Sequence, residues 1–148
     1  MKISFGITVL AAIAAIAGPL HADDIFVSGD PGALIVNTAD AGSEPNVATD
    51  ASTSYSIDIT TTNKKITGAI DTAMPAGTYL MITLAAPSGA VSTGQITLSV
   101  TGQDLVTGLA AGMNESGLGI TYEFSASVEA GVLTPASKTV TFTITDSS

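Results

Sequence analysis

Few side chains in this sequence are suited to nucleophilic catalysis. The chain has one histidine, His21, and no cysteine, and all four of its basic residues are lysines. Serine and threonine hydroxyls are abundant, so the remaining arrangement is a serine–lysine pair that uses Lys64, Lys65 or Lys138. These lysines lie beside predicted turns, where a solvated ammonium group keeps its proton. The sequence therefore predicts a protein that is not an enzyme and has no catalytic residues.

Two pairs of carboxylates have the chemistry of a general acid and a general base. Asp58 and Asp71 would face each other across a predicted hairpin, and Glu123 and Glu129 lie on or just after one predicted strand. Hydrolysis of a glycosidic bond needs two such groups in a cleft, usually beside aromatic rings. The chain has no tryptophan, three tyrosines and four phenylalanines, and several of these rings are needed for the core. We interpret the carboxylates as outward charges that keep a sheet soluble.

Carboxylate oxygens near the N-terminus have the character of calcium ligands. They belong to Asp23, Asp24, Asp30, Asp40, Glu44 and Asp50. Calcium prefers oxygen ligands, whereas zinc and copper prefer the nitrogen and sulfur ligands that this chain hardly offers. The spacing of an EF-hand loop is absent from the sequence. No metal and no cofactor is assigned, and an exposed acidic loop over residues 37–52 is the competing interpretation.

The elements that would carry these side chains are predicted to be strands. Between residues 119 and 145, apolar side chains recur at every second position in two runs. The two runs are Ile120, Tyr122, Phe124, Ala126 and Val128, and Val140, Phe142 and Ile144. A period of two places one set of side chains on a core and the other in water. The pair is therefore predicted to form the centre of an antiparallel sandwich.

The same alternation begins near residue 53 and continues to the end of the chain. Tyr55, Ile57 and Ile59 precede a turn at residues 62–64, and Ile66 and Ile70 follow it, which predicts a hairpin. Further alternating runs and turns bring the total to seven to nine short strands, spaced by turns every eight to twelve residues. That spacing predicts an all-β protein, an antiparallel β-sandwich of immunoglobulin-like or pilin-like type, with residues 53–148 as its domain.

The N-terminal segment has the order of a secretory signal. Lys2 is followed by an apolar run over residues 3–17, which Gly18-Pro19 breaks, and the small residue Ala22 precedes Asp23. We predict a signal helix at residues 1–22 that is cleaved after Ala22, then an N-terminal arm and acidic loop at residues 23–52. An uncleaved membrane anchor is the alternative, although the run is shorter than the roughly 20 apolar residues that span a bilayer. The predicted location is secreted, in the periplasm or at the cell surface.

The charge of the processed chain argues against anionic partners. Residues 23–148 hold three lysines and thirteen carboxylates, a formal charge of −10. Such a surface repels phosphate backbones and anionic membrane surfaces, so we expect neither nucleic acid nor membrane as a partner after cleavage. The final strand, by contrast, carries no charge from residue 139 to residue 145. It is either a central strand or an unprotected edge that pairs with another subunit.

Several segments resemble a family of bacterial surface proteins. They are the alanine-rich leader, the turn Pro75-Ala76-Gly77-Thr78-Tyr79, and the closing strand Ser137-Lys138-Thr139-Val140-Thr141-Phe142-Thr143-Ile144-Thr145 preceded by Ala130-Gly131. With these segments the chain resembles chaperone–usher pilus subunits and the spore-coat-U-like group. In that family an N-terminal arm completes the sandwich of a neighbouring subunit. The resemblance implies that residues 25–36 are this donor segment, with Ile25, Val27, Leu34 and Val36 as the side chains that enter the neighbour.

Two functions of different classes follow from the sequence. The first is an exported, non-enzymatic structural subunit of a bacterial surface fibre or coat, which associates with itself or other surface subunits by β-strand pairing. The alternative is a monomeric secreted binding module with a calcium- or glycan-binding loop at residues 37–52 or 110–117. The position of residues 25–36, in their own sheet or in a neighbour's, is the observation that bears most directly on this choice.

Overall fold

The computed structural model describes residues 5–13, 23–38 and 42–148, and strands dominate these residues. The strands are β1 Phe5–Ile13, β2 Asp24–Val27, β3 Leu34–Val36, β4 Ala48–Asp58, β5 Lys64–Ile70, β6 Thr78–Leu84, β7 Val91–Ser92, β8 Ile96–Thr97, β9 Gln103–Leu109, β10 Asn114–Ala126 and β11 Ala136–Asp146. A single 3-10 turn at Val128–Ala130 is the one helical segment in this part of the chain. None of the described residues forms a helix with the length and apolar character needed to cross a bilayer.

The strands form two sheets around one core. The six-stranded sheet has the order β3-β1-β11-β5-β9-β7, and the five-stranded sheet has the order β2-β4-β10-β6-β8. Neighbouring strands are antiparallel throughout the described residues, except that β1 and β11 run parallel. The prediction of an all-β sandwich is confirmed.

The core follows the alternation that the sequence shows. Phe124 on β10 is fully buried and Phe142 on β11 is 1% exposed. Each such burial contributes about 1.5–3 kcal/mol to the folded state. Val128, which continues the alternation in the sequence, is instead more than half exposed. The prediction is wrong for Val128 because this residue begins the 3-10 turn after β10.

The predicted hairpin between β4 and β5 does not form. β4 pairs with β2 and β10 in the five-stranded sheet, whereas β5 pairs with β9 and β11 in the other sheet. The turn itself is present, and Asn63 adopts a positive φ of 60°, a conformation that asparagine tolerates better than most residues. A short-range pattern identifies two strands and a turn but does not say which strands exchange hydrogen bonds. Here the chain crosses from one sheet to the other at this turn.

The segment predicted as an N-terminal arm belongs to the sandwich. β2 pairs with β4 in one sheet and β3 pairs with β1 in the other. The four side chains that the family resemblance would place in a neighbour are at most 7% exposed within this chain's own core; they are Ile25, Val27, Leu34 and Val36. The predicted exposed loop over residues 37–52 is also too long, because β4 begins at Ala48. Strand β4 therefore crosses the predicted domain boundary between residues 52 and 53.

The leader segment is a strand where it is described. The sequence was expected to form a signal helix over residues 1–22, but residues Phe5–Ile13 form β1. An apolar run of this length is compatible with a helix or a buried strand, and periodicity does not separate the two. The strand prevails because two neighbours, β11 and β3, offer it backbone hydrogen bonds on both sides. The predicted cleavage position after Ala22 lies outside the described residues.

Candidate interaction surface

The most unusual feature of the fold is the position of β1 inside the six-stranded sheet. β1 lies between β11 and β3, parallel to the first and antiparallel to the second. Its register with β11 runs from Ile7 opposite Ala136 to Ile13 opposite Phe142, and Phe5 lies opposite Val36 of β3. We call this position, bounded by residues 136–142 and 34–36, the strand slot.

The hydrogen-bonding groups of β11 divide between its two neighbours. Thr139 donates its N–H to Asp71 Oδ1 at 3.1 Å, and its carbonyl accepts the N–H of Asp71 at 3.0 Å, on the side of β5. Backbone groups of successive strand residues point in opposite directions. The N–H and C=O groups of Lys138, Val140 and Phe142 therefore point into the strand slot. A strand in the slot satisfies polar groups that would otherwise lie unpaired at the sheet edge.

The walls of the strand slot are mainly apolar. Val140 and Phe142 of β11 are buried on one side, and Leu34 and Val36 of β3 are buried on the other. No charged side chain interrupts β11 between residues 139 and 145. The slot is therefore suited to an extended segment with apolar side chains, because such a segment adds both main-chain hydrogen bonds and buried surface.

Lys138 is the charged residue among the apolar side chains beside the slot. Its burial shows that the prediction of solvated lysines is wrong for this residue. Its residue is only 6% exposed. The ammonium group donates to the carbonyl oxygens of Thr72 and Ala73, at 3.1 and 2.8 Å, and to the Thr72 hydroxyl at 2.6 Å. These bonds hold the charge toward the turn that follows β5. Lys138 therefore fastens β11 to this turn.

The other two lysines of residues 23–148 form ion pairs with carboxylates. Lys64 pairs with Asp146 and lies 3.7 Å from Asp23 Oδ2. Lys65 Nζ lies 3.0 Å from Asp104 Oδ1. The hydrogen bond that Lys64 Nζ donates to Asp146 Oδ1 is the main cause that raises the pKa of Lys64. A raised pKa keeps the ammonium charged, which is the opposite of what a general base needs.

The carboxylate pairs considered for acid–base chemistry are not brought together in a cleft. Asp58 ends β4, and β5 then carries the chain to the other end of the sandwich before Asp71. Asp71 accepts the N–H of Thr139 there. Glu123 lies on β10 opposite Met81, and Glu129 lies on the 3-10 turn. The structure therefore does not place these carboxylates as an acid–base pair in a cleft.

The carboxylates near the N-terminus bind backbone groups in separate places. Asp50 accepts the N–H of Gly32 and the N–H of Ser52 through its two oxygens, at 3.2 and 3.0 Å. Glu44 accepts the N–H of Val128 at 3.0 Å. Asp40 lies outside the described residues. Within the described ranges, no three carboxylate or histidine side chains are placed to hold a metal ion.

Asp23 forms the densest of these contacts. Its carboxylate accepts hydrogen bonds from the backbone N–H groups of Thr60 and Thr61, at 2.7 and 3.0 Å, and from both threonine hydroxyls. Partial burial raises the pKa of Asp23, but these hydrogen bonds outweigh it and lower the pKa from 3.8 to about 2. The charged carboxylate therefore fixes the start of β2 to the end of β4. The sequence offered no signal for this role beyond the cluster of acids.

A second concave feature lies on the outer face of the five-stranded sheet. It is a groove of about 260 Å³, and its lining residues are Asp24, Phe26, Ser56, Ile57, Asp58, Asn114, Glu115 and Ser116. Asp24 and Asp58 lie opposite each other in the register of β2 and β4, and Phe26 is 60% exposed. The groove contains part of the segment 110–117 that the sequence singled out as a binding loop. It combines one exposed ring with several hydrogen-bonding groups.

Of these two features, the strand slot has the more specific geometry. The sequence matches no protein-family model and no curated protein. The chemistry of the slot follows from its own residues: a strand position with apolar side chains beside it, lined along one side by the N–H and C=O groups of β11 that face β1. The sequence signal for it was the apolar run over residues 3–17, which is compatible with a buried strand as well as with a helix.

Proposed function

We propose that the protein is an exported, non-enzymatic structural subunit of a bacterial surface fibre or coat, and that copies assemble by β-strand pairing. The observation that carries this proposal is the strand slot. Its occupant here is β1, which lies within the leader that the sequence marks for removal. Once residues 1–22 are removed, the chain no longer supplies a strand between β11 and β3.

The physical reason is the state of β11 after processing. Its N–H and C=O groups at Lys138, Val140 and Phe142 face an empty strand position, and the apolar walls meet water. No charge between residues 139 and 145 protects this edge. An extended segment of another copy that enters the slot restores the hydrogen bonds and covers the apolar surface. Assembly is therefore the favoured outcome for the processed chain.

The chemistry of the remaining residues agrees with a structural role. The three lysines of residues 23–148 are each bound to carboxylates or carbonyls. The candidate acid–base carboxylates lie apart, as described above. The support for a non-enzymatic function is thus the engagement of the three lysines and of Asp71 in holding the fold.

Assembly is tested with the chain that begins at Asp23, refolded from denaturant over a range of concentrations. We expect multimers that survive unheated detergent and dissociate on heating, seen as a ladder on a gel and as filaments by electron microscopy. A single monomer band at every concentration, with no filaments, contradicts the proposal.

A matched pair of substitutions locates the assembly contact. Val140→Pro removes an N–H that points into the slot and leaves the hydrogen bonds to β5 in place. Val140→Ala keeps this N–H and removes only side-chain volume. We expect the proline variant to remain monomeric and the alanine variant to assemble, with circular dichroism confirming that both are folded. Equal assembly of the two variants would place the contact elsewhere.

The groove beside Phe26 favours a second candidate function, a monomeric secreted binding module. An exposed ring next to carboxylate and amide groups is the combination with which proteins bind sugars. Calorimetric titration with a panel of glycans tests it, and Phe26→Ala should abolish any heat of binding. For calcium, a rise in melting temperature that disappears in the Asp40→Asn and Asp50→Asn variants would favour the acidic segment instead.

A further inference from the structure

We propose that β1 is a built-in placeholder: in the unprocessed chain it closes the strand slot, and cleavage after Ala22 makes the slot available to another copy. This inference rests on the proposed function and adds its regulation. It assigns the leader a second role, in which one segment both directs export and prevents premature pairing of β11.

The first support is the length over which β1 pairs with its two neighbouring strands. β1 is in register with β11 from residue 136 to residue 142 and with β3 from residue 34 to residue 36. It therefore covers residues 136–142 of β11, including Lys138, Val140 and Phe142, whose groups point into the slot. The β1–β11 pair is parallel, and parallel pairing is slightly weaker per residue than antiparallel pairing. Such a strand protects the edge and still yields to a competitor once its covalent link is cut.

The second support is the anchor that follows the predicted cut. Asp23, the first residue after Ala22, is held by hydrogen bonds from Thr60 and Thr61. β2 begins at the next residue and pairs with β4. Cleavage between Ala22 and Asp23 therefore separates β1 from a body that stays fixed. The strand is released without loosening the sandwich that carries the slot.

The third support is that little else protects this edge, because the one charge at the slot, Lys138, is held toward Thr72 and Ala73. Natural sheets guard edges with charge, proline or bulges. β11 has no charge and no proline between residues 139 and 145, and its pairing with β5 continues without a register shift to Asp146. A chain with this edge open before export would pair with any extended segment nearby. Covering the edge with its own leader removes that hazard.

Hydrogen exchange in a cleavable full-length chain tests the placeholder. A site-specific protease sequence is inserted between residues 13 and 23, and amide exchange is measured before and after cutting. Amides of Lys138, Val140 and Phe142 point into the slot, whereas those of Thr139 and Thr141 point to β5. We expect the first group to exchange at least about tenfold faster after cutting, with the second group changed less than about twofold. The alternation provides an internal control within one strand.

Competition with a synthetic strand measures the effect on assembly. We expect the uncut chain to stay monomeric and the cut chain to form multimers. A peptide of residues 5–13 with solubilising lysines at its end should slow this assembly at least about tenfold when added in excess. The same peptide with Ala11→Asp, at the register position of the buried Val140, should have little effect, because it would bring a carboxylate into an apolar part of the sheet.

The outcomes separate the two proposals. Assembly of the uncut chain as fast as the cut chain overturns the placeholder. So does exchange that is equal for the two groups of β11 amides both before and after cutting. A cut chain that stays monomeric although Lys138, Val140 and Phe142 have lost protection overturns the proposed function instead, since the slot is then open and unused.

Discussion

The two sheets of this protein differ in how they are completed. Every strand of the five-stranded sheet comes from residues 24–126, and its central strand β10 has a partner on each side from that region. The six-stranded sheet includes β1, from the leader, between β11 and β3. β10 and β11 carry the same apolar alternation and bury equivalent phenylalanines, yet one is closed by the body of the chain and the other by a segment predicted to be removed.

The comparison teaches that the core and the edge of a sandwich are separate problems. Burial of Phe124 and Phe142 is similar because both side chains lie between the sheets. What differs is the supply of hydrogen-bond partners along the strand. A strand whose inward side chains are packed in the core contributes to a stable fold. If its edge has no neighbouring strand, its N–H and C=O groups can still pair with a strand of another copy.

The largest expected effects come from truncating the two phenylalanines. In the full-length chain, Phe124→Ala and Phe142→Ala should each lower the free energy of unfolding by about 3–5 kcal/mol, measured by urea denaturation. In the chain that begins at Asp23 and is kept monomeric by Val140→Pro, Phe142→Ala should cost about 1–2 kcal/mol less than Phe124→Ala, because the open slot already exposes part of the surroundings of Phe142. Equal costs in the shortened chain would mean that the six-stranded sheet closes without β1.

A smaller effect is expected from the lysine at the slot. Lys138→Met removes the bonds to Thr72 and Ala73 and should lower the free energy of unfolding by about 1–2 kcal/mol. Lys65→Met, which breaks an ion pair with the half-exposed Asp104, is the control and should cost less than about 1 kcal/mol. A neutral Lys138→Met would show that the turn after β5 does not depend on this ammonium group.

The anchor at Asp23 should make stability depend on acid. Its pKa is depressed to about 2, so its contribution is present above its ordinary value of 3.8 and is lost as the pH falls through 2. With allowance for solvent screening, we expect about 1 kcal/mol at neutral pH. Urea denaturation of full-length Asp23→Asn between pH 2 and 6 measures it, with Asp24→Asn as the charge-matched control. Parallel pH curves for Asp23→Asn and the unmodified chain would rule out this anchor.

The smallest effect is expected on the closed side of β11. Asp146→Asn breaks the ion pair with Lys64. The Asp146 carboxylate in this pair is 80% exposed. Exposed ion pairs contribute about 0–1 kcal/mol, and salt screens them. We expect the smallest change in the free energy of unfolding of this series at physiological salt, and unaltered assembly of the processed chain. A loss of assembly in this variant would shift attention from the slot to the β5 side of β11.

Much of the fold can be predicted from the local pattern of apolar residues. Alternation over β10 and β11 identified Tyr122, Phe124, Val140 and Phe142 as inward residues, and all four are buried. The same reasoning failed where the pattern continued beyond the strand, as at Val128. It also failed to separate helix from strand in the leader, since an apolar run satisfies either.

The candidate site can be predicted from the sequence only in part. The uncharged edge of β11 was visible in the sequence as an open choice between a central and an edge position. The structure makes β11 internal, with β1 on one side and β5 on the other. The burial of Lys138 and the anchoring role of Asp23 depend on Thr72 and Thr60, which lie far away along the chain.

The sequence by itself determined that this protein is a sandwich of short strands and which side chains face inward. The tertiary structure alone decided which strands pair, where β2 and β3 belong, and that the leader fills the gap beside β11. The reason is that a period of two is a property of each strand taken separately. Pairing is chosen by contacts between distant residues, through the hydrogen bonds and apolar surface that each alternative would leave exposed.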